Sequence, residues 1–467
     1  MGALPAHSFK FNKKSYKDFF IPSFGPLLIS TIVMPSLSHP AAGYAYFEPS
    51  NITLSQSHMG KQWVYRGNLR SFNLEGTNAS IAKNIPCTLA IPCSAEIHRM
   101  PANQSFLVQG VLKEPSPSKY LLKTKKTAGW KPIKNTWSFA EIRYKLKKMT
   151  SKFIHKHIAN SRSAKFLTGI ATGDFDDPIM SFEFSRFGLQ HIMAISGFHF
   201  AIIASILGLL LQTVLKKKNA NILLSLMLCG YFAFLGSSPS IMRALIMILI
   251  ALWGMITNRQ SSALNSLGVA LILVLLMNPL MVNNLGFQFS FITTAAILLF
   301  YPLIDRSMHP VFNKRHLSHL VEMDDVNQHG YVLINFFRQA LALALSVNLT
   351  ALPLTFYYFQ QFSVLSLIYN LFFPFMVSLS MLLLILGLLT SALVPSLATM
   401  IHAINNSFTS FMLNFAYNAP KTIDLKWYLD GVNVETLIVY YIVLFFVGVV
   451  WRYLVLGEID ERRNMLI

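Results

Sequence analysis

The stretch HIMAISGFHFAII (residues 191–203) is apolar enough for lipid, yet it contains two histidines and a Ser-Gly pair. Irregular backbone at membrane depth is tolerated only where it faces protein or a water-filled cavity. His191 and His199 are about 12 Å apart along a helix, so this pair cannot chelate one metal ion. Each histidine is either a hydrogen-bonded packing residue or part of a polar pathway, because ionisable groups inside membranes are usually functional.

The remainder of the chain places this stretch in a multi-spanning protein. The 467 residues are 53% hydrophobic and only 13% charged, whereas soluble proteins carry about a quarter charged residues. We therefore predict a polytopic α-helical membrane protein. Its predicted spans are 190–215, 221–236, 240–257, 263–278, 285–303, 332–358, 364–393 and 437–456. The amphipathic stretch 397–418 is expected to lie flat on the membrane.

The N-terminal part differs in character. Residues 1–43 combine lysines with a short apolar stretch, which predicts a basic segment followed by an anchor or signal. Residues 44–118 alternate apolar and polar residues between Gly, Pro and Asn, which predicts a small exported β-rich domain, a barrel or a sandwich. Cys87 and Cys93 lie within it, either as a disulfide or as two free thiols, because spacing alone does not fix their geometry.

Residues 119–165 form the most basic segment, with fourteen Lys or Arg and one acidic residue, Glu141. Apolar residues recur there at helical spacing, which predicts a basic amphipathic helical segment. Such a helix either rests on anionic lipid or forms a nucleic-acid approach surface. Its apolar positions are Phe139, Ile142, Leu146, Met149, Phe153 and Ile158.

Loop charges orient the spans. The loops at 216–219, 258–259 and 304–330 carry basic residues, whereas the alternate short loops carry none, so the basic set is predicted to be cytoplasmic. This divides the chain further into a spanning domain at 166–457 and a cytoplasmic tail at 458–467. The segment 119–165 is then expected outside the cell, where long loops escape the positive-inside rule.

Several spans are interrupted by polar residues, Pro or Gly, in GSSPSIMRA (236–244), LGFQFS (285–290), NLTALPLTFYYF (348–359) and LIYNLFFP (367–374). One such break is ordinary in a membrane helix, but four together favour a hydrated interior. Arg243, near the start of its span, either snorkels to the interface or faces a polyanion.

Four motifs in this order make residues 140–455 resemble the ComEC family of competence proteins. His191, Ser196, Gly197 and His199 match the family's first motif, with Phe198 in place of its usual Leu, and Gly173-Asp174 precede them as in the family. The later motifs are matched by Ser238, Pro239, Arg243 and Ala244, then by Gly286, Phe287, Gln288 and Ser290, with Phe289 for Leu, and finally by Pro353, Leu354, Asn370 and Pro374.

The resemblance implies an inner-membrane channel for single-stranded DNA in natural transformation, without enzymatic activity or a cofactor. It implies that residues 44–118 are an OB-fold-like domain, in which Trp63, Tyr65 and Phe72 either stack on bases or form core. The expected DNA path is Asp174, His191, Ser196, Gly197, His199, Pro239, Arg243, Gln288 and Asn370. The expected approach surface is Lys123, Lys125, Lys126, Lys145, Lys147 and Lys148.

The resemblance also implies partners. These are single-stranded DNA, membrane lipids, a DNA receptor outside, and a motor ATPase or single-strand-binding protein inside. Many family members continue into a metallo-β-lactamase-like domain, but this sequence has no H-x-H-x-D-H cluster. A nuclease, where one acts, is therefore expected to be a separate protein. The sequence also lacks a P-loop motif, so ATP hydrolysis by a P-loop is not expected of it.

Two other functions remain open at this stage. A secondary transporter of a small anion would also use broken helices. An intramembrane serine protease would use Ser196, with His199 as its base. The loop 316–329 holds histidines and carboxylates, but such loops are usually solvated connections, and no metal site is predicted there.

Overall fold

The computed structural model describes residues 40–464 except 58–59, 77–79, 94–98, 117–118, 125–129, 176, 194–196, 312–323 and 419–423. The predicted anchor or signal therefore lies outside the described residues. The chain divides into two compact units. The first comprises Met1–Ile52, Val64–Ile91 and His98–Ser138, and the second comprises Thr53–Trp63, Pro92–Ile97 and Phe139–Ile467.

The first unit is built on a β-sheet that closes on itself. The strand order is β1-β2-β3-β5-β4-β6, with a further pairing of β1 with β4. β3 and β5 run parallel, whereas β4 is antiparallel to both β1 and β5. The strands are β1 Ala41–Ser57, β2 Gly60–Leu74, β3 Ser80–Pro92, β4 Phe106–Ser116, β5 Lys119–Thr124 and β6 Lys131–Pro132.

A closed barrel of five strands with this crossover is the arrangement of an OB fold, as the resemblance implied. Two glycines permit the close approach that closure requires. A Cβ on Gly43 would lie 2.1 Å from the Asn73 carbonyl oxygen, and one on Gly67 would lie 2.1 Å from the Glu48 carbonyl oxygen. The predicted boundary was wrong, because β5 and β6 extend the barrel sheet into the segment 119–165 that was expected to be helical.

Two of the three residues that either stack on bases or form core belong to the barrel core. Tyr65 and Phe72 are fully buried, so neither presents a ring face to a nucleic acid base. The phenol of Tyr65 donates a hydrogen bond of 2.7 Å to the Met100 carbonyl. Trp63, which falls in the second unit, is half-buried and packs edge-to-face on Tyr144 at 5.8 Å between ring centroids.

The disulfide alternative for Cys87 and Cys93 is wrong. Both thiols are free; Cys87 is buried within β3 and Cys93 is exposed just beyond its end. Six residues of extended strand span about 20 Å, whereas disulfide-linked Cα atoms lie within about 7 Å. Burial raises the pKa of the Cys87 thiol to about 12, so this group stays protonated and unreactive at neutral pH.

The second unit is helical, apart from the strand residues within Thr53–Trp63 and a small antiparallel sheet of β7 (Gln361–Ser363) and β8 (Lys426–Tyr428). Four helices come first: α1 Ala140–His157, α2 Ser161–Thr172, α3 Pro178–Arg186 and α4 Gln190–Met193. The helices that follow are α5 Gly197–Val214, α6 Lys217–Leu235, α7 Pro239–Ile256, α8 Ala263–Met277, α9 Leu285–Ser307, α10 Asp325–Phe359, α11 Ser366–Leu393, α12 Pro395–Tyr417 and α13 Val434–Asn464.

Seven helices within the described residues are long and apolar enough to cross a membrane, namely α5, α6, α7, α9, α10, α11 and α13. The slightly shorter α8 is apolar as well. The prediction of a polytopic helical membrane protein is confirmed, and each predicted span corresponds to one helix. The first one differs at its start, because α4 ends at Met193 and α5 begins at Gly197. The predicted tail is helical as far as Asn464.

The stretch predicted to lie flat, 397–418, instead packs antiparallel along α11 as α12. His402 lies against Gly387, and Tyr369 contacts Phe415 at 5.6 Å. The polar face of α12 is the buried one, because Asn405 accepts hydrogen bonds from Ser380 at 3.0 Å and from Thr409 at 3.1 Å. The apolar side chains exposed on its other face are Leu397, Met400, Ile404, Phe411 and Phe415.

The last helix, α13, supplies hydrogen bonds that prolines remove from its neighbours. Pro353 has no N–H, so the Leu349 carbonyl in α10 loses its helical partner, and the Tyr440 hydroxyl donates to it at 2.7 Å. Pro302 likewise frees the Leu298 carbonyl in α9, which accepts a long bond of 3.5 Å from Arg452. These bonds satisfy backbone groups that lipid cannot.

Replacing Tyr440 with Phe should therefore destabilise the helical unit. The change removes only the donor to the Leu349 carbonyl, and interhelical hydrogen bonds in membranes are worth about 0.6 to 1.7 kcal/mol. We expect the free energy of unfolding, measured by SDS titration in mixed micelles, to fall by about 1 kcal/mol. Tyr453→Phe is the matched control, because Tyr453 is exposed on the same helix. Equal stability of the two variants would contradict this role for Tyr440.

Candidate functional site

The guanidinium of Arg243 lies where three helices meet. Arg243 is in the second turn of α7, and Gly197 begins α5. A Cβ on Gly197 would lie 2.3 Å from Nη2 of Arg243, so the absence of a side chain there makes room for the guanidinium. Nη1 donates a hydrogen bond to the Thr294 hydroxyl of α9, which in turn donates to the Ser290 carbonyl at 2.8 Å.

This cation has no charged partner in the described part of the chain. No carboxylate there pairs with Arg243, and its buried Nε has no hydrogen-bond acceptor among the described atoms. A charge inside a membrane is expensive unless it meets water or an opposite charge. The Thr294 hydroxyl is a neutral acceptor, and guanidinium binds carboxylate or phosphate more strongly than neutral groups. The site therefore favours an anion.

Gln288 joins two helix ends. Its Nε2 donates to the Val282 carbonyl at 2.8 Å, and its Oε1 accepts a bond of 2.7 Å from the Tyr358 hydroxyl. Gln288 lies in the first turn of α9, whereas Tyr358 lies in the last turn of α10. Both sides of the amide are thus used, and Gln288 fixes the end of α10 against the loop before α9.

The other predicted path residues have separate surroundings. His191 is exposed, and its Nδ1 lies 3.2 Å from the Gly188 carbonyl oxygen. His199 is buried. Pro239 is the first residue of α7 after the N-cap Ser238, a favoured position for proline. Asn370 is half-buried, and its Oδ1 has no partner among the described atoms. Ser196 lies outside the described residues, so its geometry as a nucleophile stays a prediction.

Asp174, predicted for the DNA path, and Lys147, predicted for the approach surface, form an ion pair with each other. Lys147 Nζ lies 3.1 Å from Asp174 Oδ2, and the lysine side chain is only 6% exposed. Arg143, on the same helix, donates to the Ala233 carbonyl at 2.8 Å, in the last turn of α6. Burial lowers the pKa of Arg143, and the nearby Asp174 opposes that effect. These basic residues attach α1 to the helical unit.

The remaining approach lysines differ in position. Lys123 is exposed on β5 of the barrel, and Lys145 and Lys148 are exposed on α1. Lys125 and Lys126 lie outside the described residues. Of the described lysines in the predicted surface, Lys147 is buried, whereas Lys123, Lys145 and Lys148 are exposed.

The barrel carries an exposed aromatic residue that the sequence analysis missed. Trp137 is 62% exposed and lines a shallow depression with Tyr46, Arg70 and Glu48. Arg70 Nε donates to Glu48 Oε2 at 2.7 Å across this depression. A partly exposed indole beside a tyrosine and an arginine can stack on a nucleic acid base. The hydropathy pattern did not reveal this exposed residue, because Trp137 lies after the last strand of the barrel, outside the alternating pattern of the strands.

The sequence analysis also missed Arg186, which stabilises the segment before α5 through ion pairs. It donates to both carboxylate oxygens of Asp424, at 2.9 and 3.0 Å, and to Glu183 at 2.6 Å. Hydrogen bonding to Asp424, together with Glu183, raises the pKa of Arg186 despite its burial. The Ser363 hydroxyl donates to the Arg186 carbonyl at 2.8 Å, so the end of α3 is fixed to the two-stranded β7–β8 sheet.

A model of the competence protein family matches residues 177–454, which is more than half of the chain. ComE operon protein 3 of Bacillus subtilis (strain 168) is 26% identical over 229 residues. That match covers 47% of this chain and 26% of the relative, so the matched part spans about a quarter of the relative's length. No solved structure matches the chain.

The Lys147–Asp174 pair gives a stability prediction with a neighbouring control. Removing one member of a buried pair leaves an uncompensated charge and costs about 3–5 kcal/mol. Because Asp174 keeps some exposure, we expect Lys147→Gln to lower the free energy of unfolding by about 2 kcal/mol. Lys148→Gln, one residue away and exposed, should stay within about 0.5 kcal/mol. An SDS titration measures both; similar losses would contradict the pair's structural role.

Proposed function

Given that this chain belongs to the competence protein family, we propose that it conducts single-stranded DNA across the bacterial cytoplasmic membrane in natural transformation. In this proposal the path runs between the interrupted helices of the second unit. A polynucleotide carries one phosphate charge per residue, and each charge needs water, a cation or a hydrogen-bond donor along the way. The helical unit must therefore present such groups on the path.

The observation that carries the proposal is the Arg243 guanidinium. It is a cation in a membrane helix, its Nε has no acceptor within the described residues, and its best contact there is a neutral hydroxyl. A phosphate oxygen would form a stronger, charge-assisted bond than Thr294 does. The chain therefore holds a donor that a passing phosphate can engage.

Arg243 also closes the route in this conformation. The guanidinium occupies the space beside Gly197 and bonds to α9, so a nucleotide can pass there only after Arg243 moves. We propose that phosphate replaces the Thr294 hydroxyl as the acceptor and that the arginine turns with the strand. Gly197 makes room for the guanidinium in the closed position, because any side chain at position 197 would collide with it.

The barrel is proposed to lie outside the cytoplasm and to hold DNA before entry. Trp137 offers a stacking surface, and Lys123 adds an exposed positive charge. This orientation places the basic loops at 216–219 and 258–259 in the cytoplasm. The proposed partners are a DNA receptor outside and a motor ATPase or single-strand-binding protein inside, with a separate nuclease where one strand is degraded.

Arg243→Gln tests the path. In a transformable strain whose own copy is replaced by each variant, we expect transformants to fall about ten- to a hundredfold, as expected from the loss of a charged hydrogen bond. Arg243→Lys should fall less, because the charge remains. The matched control is Arg259→Gln, which removes an exposed charge from the loop after α7. Immunoblots of membranes show whether each variant accumulates.

Gly197→Ala provides a second variant that keeps the charge. It should lower transformation because the added methyl group moves the guanidinium from the position in which phosphate would engage it, while labelled DNA stays bound at the cell surface. Normal transformation by Arg243→Gln at normal protein level would exclude Arg243 from the path. A loss of phosphate uptake with unchanged transformation would instead favour the small-anion transporter.

The barrel gives an independent binding prediction. Stacking of one base on an aromatic side chain is worth about 1–3 kcal/mol, so Trp137→Ala should weaken binding of a labelled oligo-dT by about five- to a hundredfold. The measurement uses fluorescence anisotropy on the full chain in nanodiscs. Trp427→Ala is the matched control, because Trp427 is equally exposed but lies on the two-stranded β7–β8 sheet. Equal affinities of the two variants would remove Trp137 from the proposal.

A further inference from the structure

Helix α1 presents three different faces. With 3.6 residues per turn, three of its four buried residues, Ala140, Lys147 and Ile154, fall within an arc of about 40°. The fourth, Glu141, lies in the first turn outside that arc. On the opposite side Ile142, Leu146 and Met149 fall within about 60°, and all three are exposed, Met149 by 66%. Four exposed lysines occupy an arc beside that apolar stripe, namely Lys145, Lys148, Lys152 and Lys156.

The buried face fixes α1 against membrane helices. Ile154 packs with Leu167 of α2 and Leu384 of α11, and Arg143 bonds to the last turn of α6. The N-terminal half of α1 therefore lies where a spanning helix ends. On α12, the neighbouring helix, the exposed large side chains are apolar, such as Met400 and Ile404. The exposed apolar stripe of α1 has the same lipid-facing composition as this face of α12.

We infer that α1 is a lipid-docking helix, which places Ile142, Leu146 and Met149 among acyl chains and Lys145, Lys148, Lys152 and Lys156 among anionic phospholipid headgroups. This arrangement of an apolar stripe beside lysines is typical of helices that lie in the membrane interface, and lysines near such a surface attract anionic lipid. Nucleic acid would engage the lysines but would leave the apolar stripe in water. This inference does not rest on the proposed function.

The test measures the surroundings of single positions in the full chain, reconstituted in vesicles that contain anionic phospholipid. In a Cys93→Ser, Cys229→Ser background, Cys87 stays because it is buried and unreactive. Spin labels are then attached at Met149→Cys and, as the matched control, at Lys148→Cys. Accessibility to oxygen reports acyl chains, and accessibility to a water-soluble nickel chelate reports solvent.

We expect the ratio of oxygen to nickel accessibility to be severalfold higher at position 149 than at 148. In vesicles of zwitterionic lipid alone, or after replacing the four lysines with glutamine, the ratio at 149 should shift toward the value at 148. Equal ratios at both positions would overturn the inference, as would no response to lipid charge. Low accessibility to both reagents at 149 would indicate a protein partner or a second copy. Protection of both positions by added oligo-dT would indicate nucleic acid.

Discussion

The helical unit depends on one constraint, which is that lipid offers no hydrogen bonds, so each backbone polar group inside it must find a partner in the protein. The prolines of α9 and α10 break this rule locally by freeing a backbone carbonyl. Tyr440 and Arg452, both on α13, donate to those carbonyls. The carbonyls that prolines free in α9 and α10 thus help to position α13. In the proline-containing helices, these carbonyls in turn stay hydrogen-bonded.

The same constraint explains why polar side chains face inward. On α12, Asn405 and Thr409 are buried against Ser380, while the large exposed side chains are apolar. In α9 and α10, the buried Arg338 lies 3.5 Å from Asp305 and donates to Asn335 at 2.6 Å. Hydrogen bonds and ion pairs therefore specify which helices adjoin, whereas apolar side chains supply the lipid-facing surface. Because polar side chains already lie between the helices, a polar path could form there with few changes in the buried residues.

The sequence predicted the membrane helices closely, because length and apolar composition alone decide whether a helix can cross lipid. It failed where the answer depends on a partner distant in sequence. Nothing local shows that Lys147 pairs with Asp174, that α12 has α11 to cover its polar face, or that Tyr65 is core while Trp137 is exposed. The strands at Lys119–Thr124 and Lys131–Pro132 were not recognised in the sequence, because their lysines are compatible with the exposed edge of a sheet as well as with a helix.

Motif matching located Gly197 and Arg243 separately, and only the structure shows that they are one feature. The glycine is needed where the guanidinium lies, and the guanidinium bonds to a third helix through Thr294. A ligand shifts such an equilibrium only by its differential affinity for the two states. Phosphate binds a guanidinium more strongly than a hydroxyl does, whereas an uncharged solute gains nothing from the exchange. The proposed gate would therefore open for anions and stay shut to neutral molecules, because the closed state already satisfies the weaker bond.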